Sequence, residues 1–242
     1  MNAAPRIGLI SALAQSPGPA MAAMGEIWPE AWAHNLLDDS LAADYATLGE
    51  ITPAIIDRFL ALGRYAASVS DGTRKPVGIL FTCSAFRPAI DRVKADLTIP
   101  VVSPNEGAFD EALDICAGVD GGGRIAVLLT FAGSLAPLTG EIEMIARARG
   151  QTLPEVVGIV ADGALPALQA GDEAGHDRLA AQAAATIGKV DVTVIGQFSM
   201  ARALPLVTPL RPEPVLTTPQ AAVRKLRRLV EAGGGIGGVH AQ

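Results

Sequence analysis

A cysteine, a glutamine and a set of serine and threonine hydroxyls are the residues of this chain whose types and positions suit chemistry. Cys83 follows the apolar run Val77-Gly78-Ile79-Leu80-Phe81-Thr82 and precedes Ser84-Ala85-Phe86-Arg87-Pro88, which places a thiol where a buried strand gives way to a helix. Unpaired backbone N–H groups at such a junction favour a thiolate, so the thiol pKa, ordinarily about 8.5, is expected to fall toward the range of a base or nucleophile. Thr82 and Ser84 flank it with hydroxyls that, with loop amides, could hold a carboxylate or its enediolate. The alternative is a small buried hydrophobe.

Gln197 ends a comparable apolar run, Val192-Thr193-Val194-Ile195-Gly196. A carboxamide has no acid–base equilibrium near neutrality, but it hydrogen-bonds a carboxylate, amide or ring carbonyl, or caps its own strand end. Ser199 is a candidate water holder or oxyanion donor. Ser11, Thr130 and Ser134 lie at or just beyond the exits of other apolar runs and are candidate neutral donors to substrate, although each could equally satisfy its own turn. Asn105 is a further candidate that could instead cap a helix. Asp38 and Asp39 are not read as a catalytic pair, because neighbours in extended chain point to opposite sides. Asp162 also falls at a strand exit.

Positioning these groups requires a series of buried strands and amphipathic helices. Strands are expected at 6–10, 33–37, 77–82 and 98–102, with helices at 20–28, from Thr52-Pro53 to about 68, from about 86, and over 107–117. Thr52 is the expected N-cap of the long helix, with Pro53 in its first turn and Ile56, Phe59, Leu60 and Gly63 facing inward. After the Gly121-Gly122-Gly123 joint the pattern restarts, with strands at 124–129, 156–160 and 192–196 and helices at 137–149 and 173–187. Cys83 lies 77 positions after Arg6 and Gln197 lies 73 after Arg124, near-equal offsets that point to a duplicated unit. A closing helix starts at Pro219, with Thr218 as its candidate N-cap.

The expected architecture is α/β, with two similar Rossmann-like halves, each a mainly parallel sheet flanked by helices, and a cleft between them. Residues 1–103 with 206–242 form the expected first domain and 104–205 the second. Half of the 242 residues are hydrophobic but only 4% are aromatic, which suits Ala, Val, Leu and Ile packed between helices and parallel strands.

A formal net charge of −6 provides no broad positive field for a nucleic acid. The basic run Arg224-Lys225-Leu226-Arg227-Arg228 reads as the wet face of a helix. No apolar run reaches the roughly 18 residues of a membrane span, and no charged-then-apolar leader opens the chain, so a cytoplasmic protein without membrane association is expected. Cys83 and Cys116, in different settings, form neither a disulfide framework nor a metal pattern, and Cys116 reads as core packing. His34, His176 and His240 do not make a metal triad, and His176 reads as a capping or inter-helix hydrogen-bonding residue. Gly121-Gly122-Gly123 and the run 233–238 lack the strand-loop-helix context of a nucleotide site. No cofactor and no metal are expected.

The stretches Gly78-Ile79-Leu80-Phe81-Thr82-Cys83-Ser84-Ala85-Phe86, Pro100-Val101-Val102-Ser103-Pro104-Asn105-Glu106-Gly107-Ala108-Phe109 and Asp191-Val192-Thr193-Val194-Ile195-Gly196-Gln197-Phe198-Ser199-Met200-Ala201 resemble the aspartate/glutamate/hydantoin racemase superfamily, which includes maleate isomerases and arylmalonate decarboxylases. The order of elements is similar over nearly the whole chain. The resemblance implies a cofactor-independent racemase or epimerase acting at a carbon next to a carboxylate or carbonyl, on amino acids, hydantoins or related small acids. Two thiols serve such enzymes; Cys83 matches the first, and Gln197 stands at the second. A single-thiol malonate-type decarboxylase, a cis-trans isomerase and a non-catalytic small-acid binding protein are the alternatives. A homodimer is a further expectation from the resemblance.

Overall fold

The computed structural model describes residues 4–233. The chain divides into two compact units, residues 4–104 with 222–233 and residues 105–221. The first unit contains β1 (Arg6–Ser11), α1 (Pro17–Ile27), β2 (Trp32–Leu37), α2 (Ser40–Leu48), α3 (Pro53–Ser68), β3 (Pro76–Phe81), α4 (Arg87–Asp96) and β4 (Val101–Val102). The second contains α5 (Glu106–Cys116), β5 (Arg124–Leu129), α6 (Leu135–Ala148), β6 (Glu155–Val160), α7 (Ala164–Gln169), α8 (Glu173–Ala185), β7 (Val192–Ile195), α9 (Leu204–Val207) and β8 (Val215–Thr217). The closing helix α10 (Thr218–Ala232) spans the division.

Each unit has a four-stranded sheet in which every pairing is parallel, ordered β2-β1-β3-β4 in the first and β6-β5-β7-β8 in the second. The two orders are the same once β5 is set against β1. This is the pair of similar α/β halves that the sequence pattern predicts.

The apolar runs become strands because both faces of each sheet are covered. In the second unit Ile125, Val127 and Leu129 pack into a cluster with α5 and α6 residues such as Phe109, Leu113 and Ile142. The intervening Ala126 and Leu128 pack against Ala180 and Ala184 of α8. Alternate side chains therefore leave opposite faces and both are buried. In the first unit α3 buries Ile55, Phe59, Gly63 and Ala66, which keeps the expected Phe59 and Gly63, while the expected Ile56 and Leu60 are only partly buried. Thr52 caps that helix, its Oγ1 accepting from the Ile55 N–H at 3.4 Å. Gly78 lets α10 close on β3: a Cβ there would stand 2.8 Å from Leu226 Cδ1.

Segment 206–221, expected with the first half, groups with the second unit instead. The cause is β8, which the sequence reading missed: Thr193, Val194 and Ile195 pair with Val215, Leu216 and Thr217. A strand of three residues, Val215–Thr217, is too short to show a strand period. The strand expected over 98–102 is confined to Val101–Val102, since Pro100 has no N–H to give the ladder. The final helix begins at Thr218 itself. Its basic residues lie on the partly exposed face, where Arg227 donates to the Ile27 carbonyl at 2.8 Å and pairs with Glu30 and Glu231. The expectations for His240 and for glycines 234, 235, 237 and 238 lie outside the described residues.

Candidate active site

The first unit presents its chemistry where β1 and β3 end. The Thr82 N–H donates to the Ile10 carbonyl at 3.0 Å, carrying the ladder one step past β3. Cys83 follows in extended backbone, and Ser84–Phe86 then forms a single 3-10 turn leading into α4. The half-buried Cys83 packs against the cluster that contains Phe59, Phe81 and Phe86. Burial pushes its thiol up to about 11, against the Ala85 N–H, which favours the thiolate. The expected lowering is therefore reversed: a one-turn segment supplies few aligned dipoles, and apolar surroundings disfavour charge more strongly. Burial thus favours the protonated thiol at neutral pH.

Beside it runs a chain of polar groups. Thr82 Oγ1 donates to Ser11 Oγ at 2.9 Å, and Ser11 Oγ donates to Asn35 Oδ1 at 2.9 Å. Ser11 is fully buried and spends its hydroxyl hydrogen inside the protein, so it braces the exits of β1, β2 and β3 rather than offering that hydrogen to a ligand. Asn35 lies on the exposed part of β2, and with its Oδ1 engaged its NH2 remains a donor. Nothing in the local sequence around Asn35 marks it; only the parallel pairing Leu9↔Asn35 brings it beside Ser11.

The second unit repeats this exit with different groups. The Gly196 N–H donates to the Leu128 carbonyl at 2.8 Å, the counterpart of the Thr82–Ile10 bond, because Ile10 pairs with Phe81 as Leu128 pairs with Ile195. The residue after each donor is Cys83 in one unit and Gln197 in the other. Both are extended, with φ −123° and −138°, and both precede a 3-10 segment. Gln197 Oε1 accepts from the Thr130 N–H and from Thr130 Oγ1, each at 2.8 Å. A backbone N–H only donates, so the oxygen is the end held by Thr130 and the NH2 is the end left to donate. Thr130, like Ser11, spends its hydroxyl hydrogen internally.

Ser84, Ser134 and Ser199 lie in the 3-10 segments after β3, β5 and β7, over 84–86, 132–134 and 198–203. Ser84 is exposed, whereas Ser134 and Ser199 are half-buried. Asn105 is buried at the start of α5 without capping it; its Nδ2 donates to the buried Glu141 of α6 at 3.4 Å. Asp38 is tied to Arg58 at 2.6 Å and accepts from Ser40 at 2.6 Å. Burial opposes its charge, but the Ser40 and Arg58 hydrogen bonds outweigh it and hold the carboxyl below its usual range.

His176 is fully buried in α8, with Nδ1 2.8 Å from Asp177 Oδ1. Its partner is thus the next residue rather than another helix. His34 lies in β2, where Trp32 stacks on it at 5.5 Å between ring centroids. Burial, then the nearby Arg6, lowers its pKa. Cys116 is buried beside Gly123 in the core of the second unit, and burial followed by the Asp191 carboxylate pushes its thiol up. Among the described residues no group of His, Cys, Asp and Glu is arranged to hold a metal ion, and no helix is long and apolar enough to cross a membrane.

The chain matches no protein-family model, and none of the curated proteins matches it in sequence. Its fold does have counterparts among solved structures. Glutamate racemase from Bacillus anthracis superposes with a TM-score of 0.67 at 12% identity, covering 98% of this chain and 85% of the racemase. Allantoin racemase from Klebsiella pneumoniae gives 0.64 at 17% identity, with 95% and 89% coverage. The Gly74Cys mutant of arylmalonate decarboxylase, in a sulfate-associated form, gives 0.61 at 15% identity, with 95% and 94% coverage. The chain thus shares its two-unit α/β fold with these racemases and with the decarboxylase.

Proposed function

We propose that the protein is a cofactor-independent racemase or epimerase that moves a proton at a carbon next to a carboxylate or carbonyl, through an enediolate-like intermediate. The observation that supports this reading most directly is the place of Cys83, one residue past the last ladder bond of β3 and followed at once by a 3-10 turn. A thiol there, protonated at neutral pH, acts as the acid that returns a proton to carbon, and as the base once its proton has gone. The neutral donors proposed for a carboxylate or enediolate oxygen are, in the unit that carries Cys83, the Asn35 NH2 and the Ser84 hydroxyl, and, in the other unit taken by itself, the Gln197 NH2 and the Ser134 and Ser199 hydroxyls. Neutral donors do this without burying unpaired cations. Amino acids, hydantoins and related small acids are the proposed substrate class.

A second reading, a single-thiol decarboxylase of substituted malonates, draws on one observation. Gln197 has its only side-chain acceptor committed to Thr130, so it does not take a proton from carbon. Loss of CO2 would create the enediolate without a second base, leaving Cys83 to protonate it.

Incubating the protein in deuterated water with amino acids, hydantoins and substituted malonates separates the two. Exchange with inversion supports the racemase, and CO2 release with one-handed product supports the decarboxylase. Saturable binding with neither would leave a small-acid binding protein and remove both readings.

A further inference from the structure

His34 is a titratable group of the first unit that the reaction above does not use. It lies on β2, the outermost strand of its sheet, which pairs with β1 alone among the described residues. In the parallel register Arg6 pairs with Trp32 and Gly8 with His34. Alternate residues of a strand share a face, so these four residues lie together on one side of the sheet. The side chains agree: the Arg6 guanidinium stands 4.5 Å from the Trp32 ring centroid, and Trp32 stacks on His34 with 5.5 Å between centroids. Gly8 makes the room, since a Cβ there would stand 3.8 Å from His34 Cε1 and 3.3 Å from the Ala66 Cβ of α3.

The enclosed ring is poorly provided for. Both Nδ1 and Nε2 are buried, and neither has a hydrogen-bond partner. A neutral imidazole carries one donor and one acceptor, and leaving both unpaired has a cost that an apolar side chain avoids. The second unit has such a side chain. With β5 set against β1, Arg124 answers to Arg6 and Ala126 to Gly8, and their partners on β6 are Glu155 and Val157. Arg124 forms an ion pair with Glu155 at 3.0 Å where Arg6 meets Trp32, and Val157 stands at the register position of His34. The fold therefore accepts a small apolar residue here, and what histidine adds is a proton site.

Protonation is the event these surroundings do not accommodate. An imidazolium has two donors and no acceptor, and it sets a second positive charge beside the buried Arg6. The loop after α3 brings Asp71, which is already bonded to Arg6 at 3.0 Å and to Arg74 at 2.7 Å. On α3 itself, next to Ala66, Tyr65 is exposed and Arg64 is bonded to Asp96 at 2.6 Å. Burial, and after it Arg6, lowers the pKa of the ring, so the closed strand holds the neutral form.

We propose that His34 is an acid-sensitive latch on β2: neutral, it closes the strand against β1 and α3, and protonated, it turns out to water and releases the strand. Asn35 is the next residue, and its bond to Ser11 ties β2 to the chain that continues to Thr82. Release therefore loosens the polar groups beside Cys83. The effector is the proton itself, which reaches the ring when the edge strand opens, and both states belong to the first unit alone. The closed ring takes a proton less readily than the open one, so the latch is fully closed above the ordinary histidine pKa and weakens as pH falls below it.

Two measurements on the full chain, which has three histidines, test the latch without any ligand. In an NMR pH titration, with the rings assigned through the backbone, His34 is expected to titrate below the midpoint of histidine in an unstructured peptide. A midpoint at or above that of the peptide overturns the proposal. Amide hydrogen exchange reads the release itself. Protection of residues 32–37, measured against residues 155–160 of the other edge strand, is expected to fall by up to about tenfold at one pH unit below the ordinary histidine pKa. In His34→Val, which installs the side chain of the second unit, the same ratio is expected to stay level. A parent ratio that does not fall, or one that falls equally in the variant, overturns the latch. If His34→Val does not fold, the titration and the exchange of the parent chain decide.

Discussion

The exits of β3 and β7 are the same place built twice, and they differ in one atom type that matters. By register Cys83 and Gln197 each follow a residue whose N–H closes the ladder on the neighbouring strand, and each opens a 3-10 segment. One exit holds a sulfur that gains and loses a proton; the other holds an amide clamped by Thr130. Their surroundings differ in the same sense. Cys83 rests against an aromatic cluster, while Gln197 is met by a backbone N–H and a hydroxyl. The backbone geometry is alike at the two exits, and the side chains make the difference: an ionisable thiol at one, an amide held by its oxygen at the other.

The comparison breaks most visibly at the thiol. Cys83→Ser is expected to lower solvent exchange at the substrate carbon by about 10²–10⁴-fold, the range of general acid–base catalysis; activity within tenfold of the parent would mean the thiol is only packing. Installing the same group at the other exit sharpens the point. Gln197→Cys is expected to raise the rate of inversion by roughly tenfold or more, and an unchanged product pattern would show that equal register does not give equal reach to substrate.

Stability against pH tests the apolar setting of Cys83. Its folded pKa of about 11 lies above the ordinary thiol value, so the folded state holds its proton longer than the unfolded chain does. That contribution is complete below the ordinary thiol pKa and is lost as pH rises to about 11, a loss of roughly 2–3 kcal/mol. Denaturant titrations at intervals across this window should show the fall in the parent and a flatter profile in Cys83→Ala.

A smaller effect is expected from Thr130→Val, which removes one of the two donors to Gln197 Oε1. It should cost about 1 kcal/mol of stability and raise KM more than it lowers kcat; an effect on kcat alone would assign the hydroxyl to the chemical step. Cys116→Ser should leave the chemistry intact and cost about 1–2 kcal/mol through a buried hydroxyl. A loss of exchange in a folded Cys116→Ser protein would contradict its role as packing.

Much of this architecture was legible because strands buried on both faces read as unbroken apolar runs, and because Thr52-Pro53 is a strong helix start. Other elements left weaker traces. α2 is a short helix whose clearest signal is its end, Gly49 at φ +73° in the left-handed region. β8 is three residues long and shows itself only through its pairing with β7. At the site, Cys83 stood out by residue type and by its place after a strand. Asn35 could not, since its partner lies 24 positions away.

The sequence by itself determined the class of fold, the repetition of the αβ pattern, and the match of Cys83 to Gln197 by spacing. Local hydrophobic periodicity and local turn residues carry that information. Tertiary structure decided the protonation of the thiol, the direction in which the Gln197 amide points, the internal use of the Ser11 and Thr130 hydroxyls, and the unpartnered ring nitrogens of His34. Each of these depends on burial or on a hydrogen bond between residues far apart in the chain, and neither quantity exists until the strands and helices have packed.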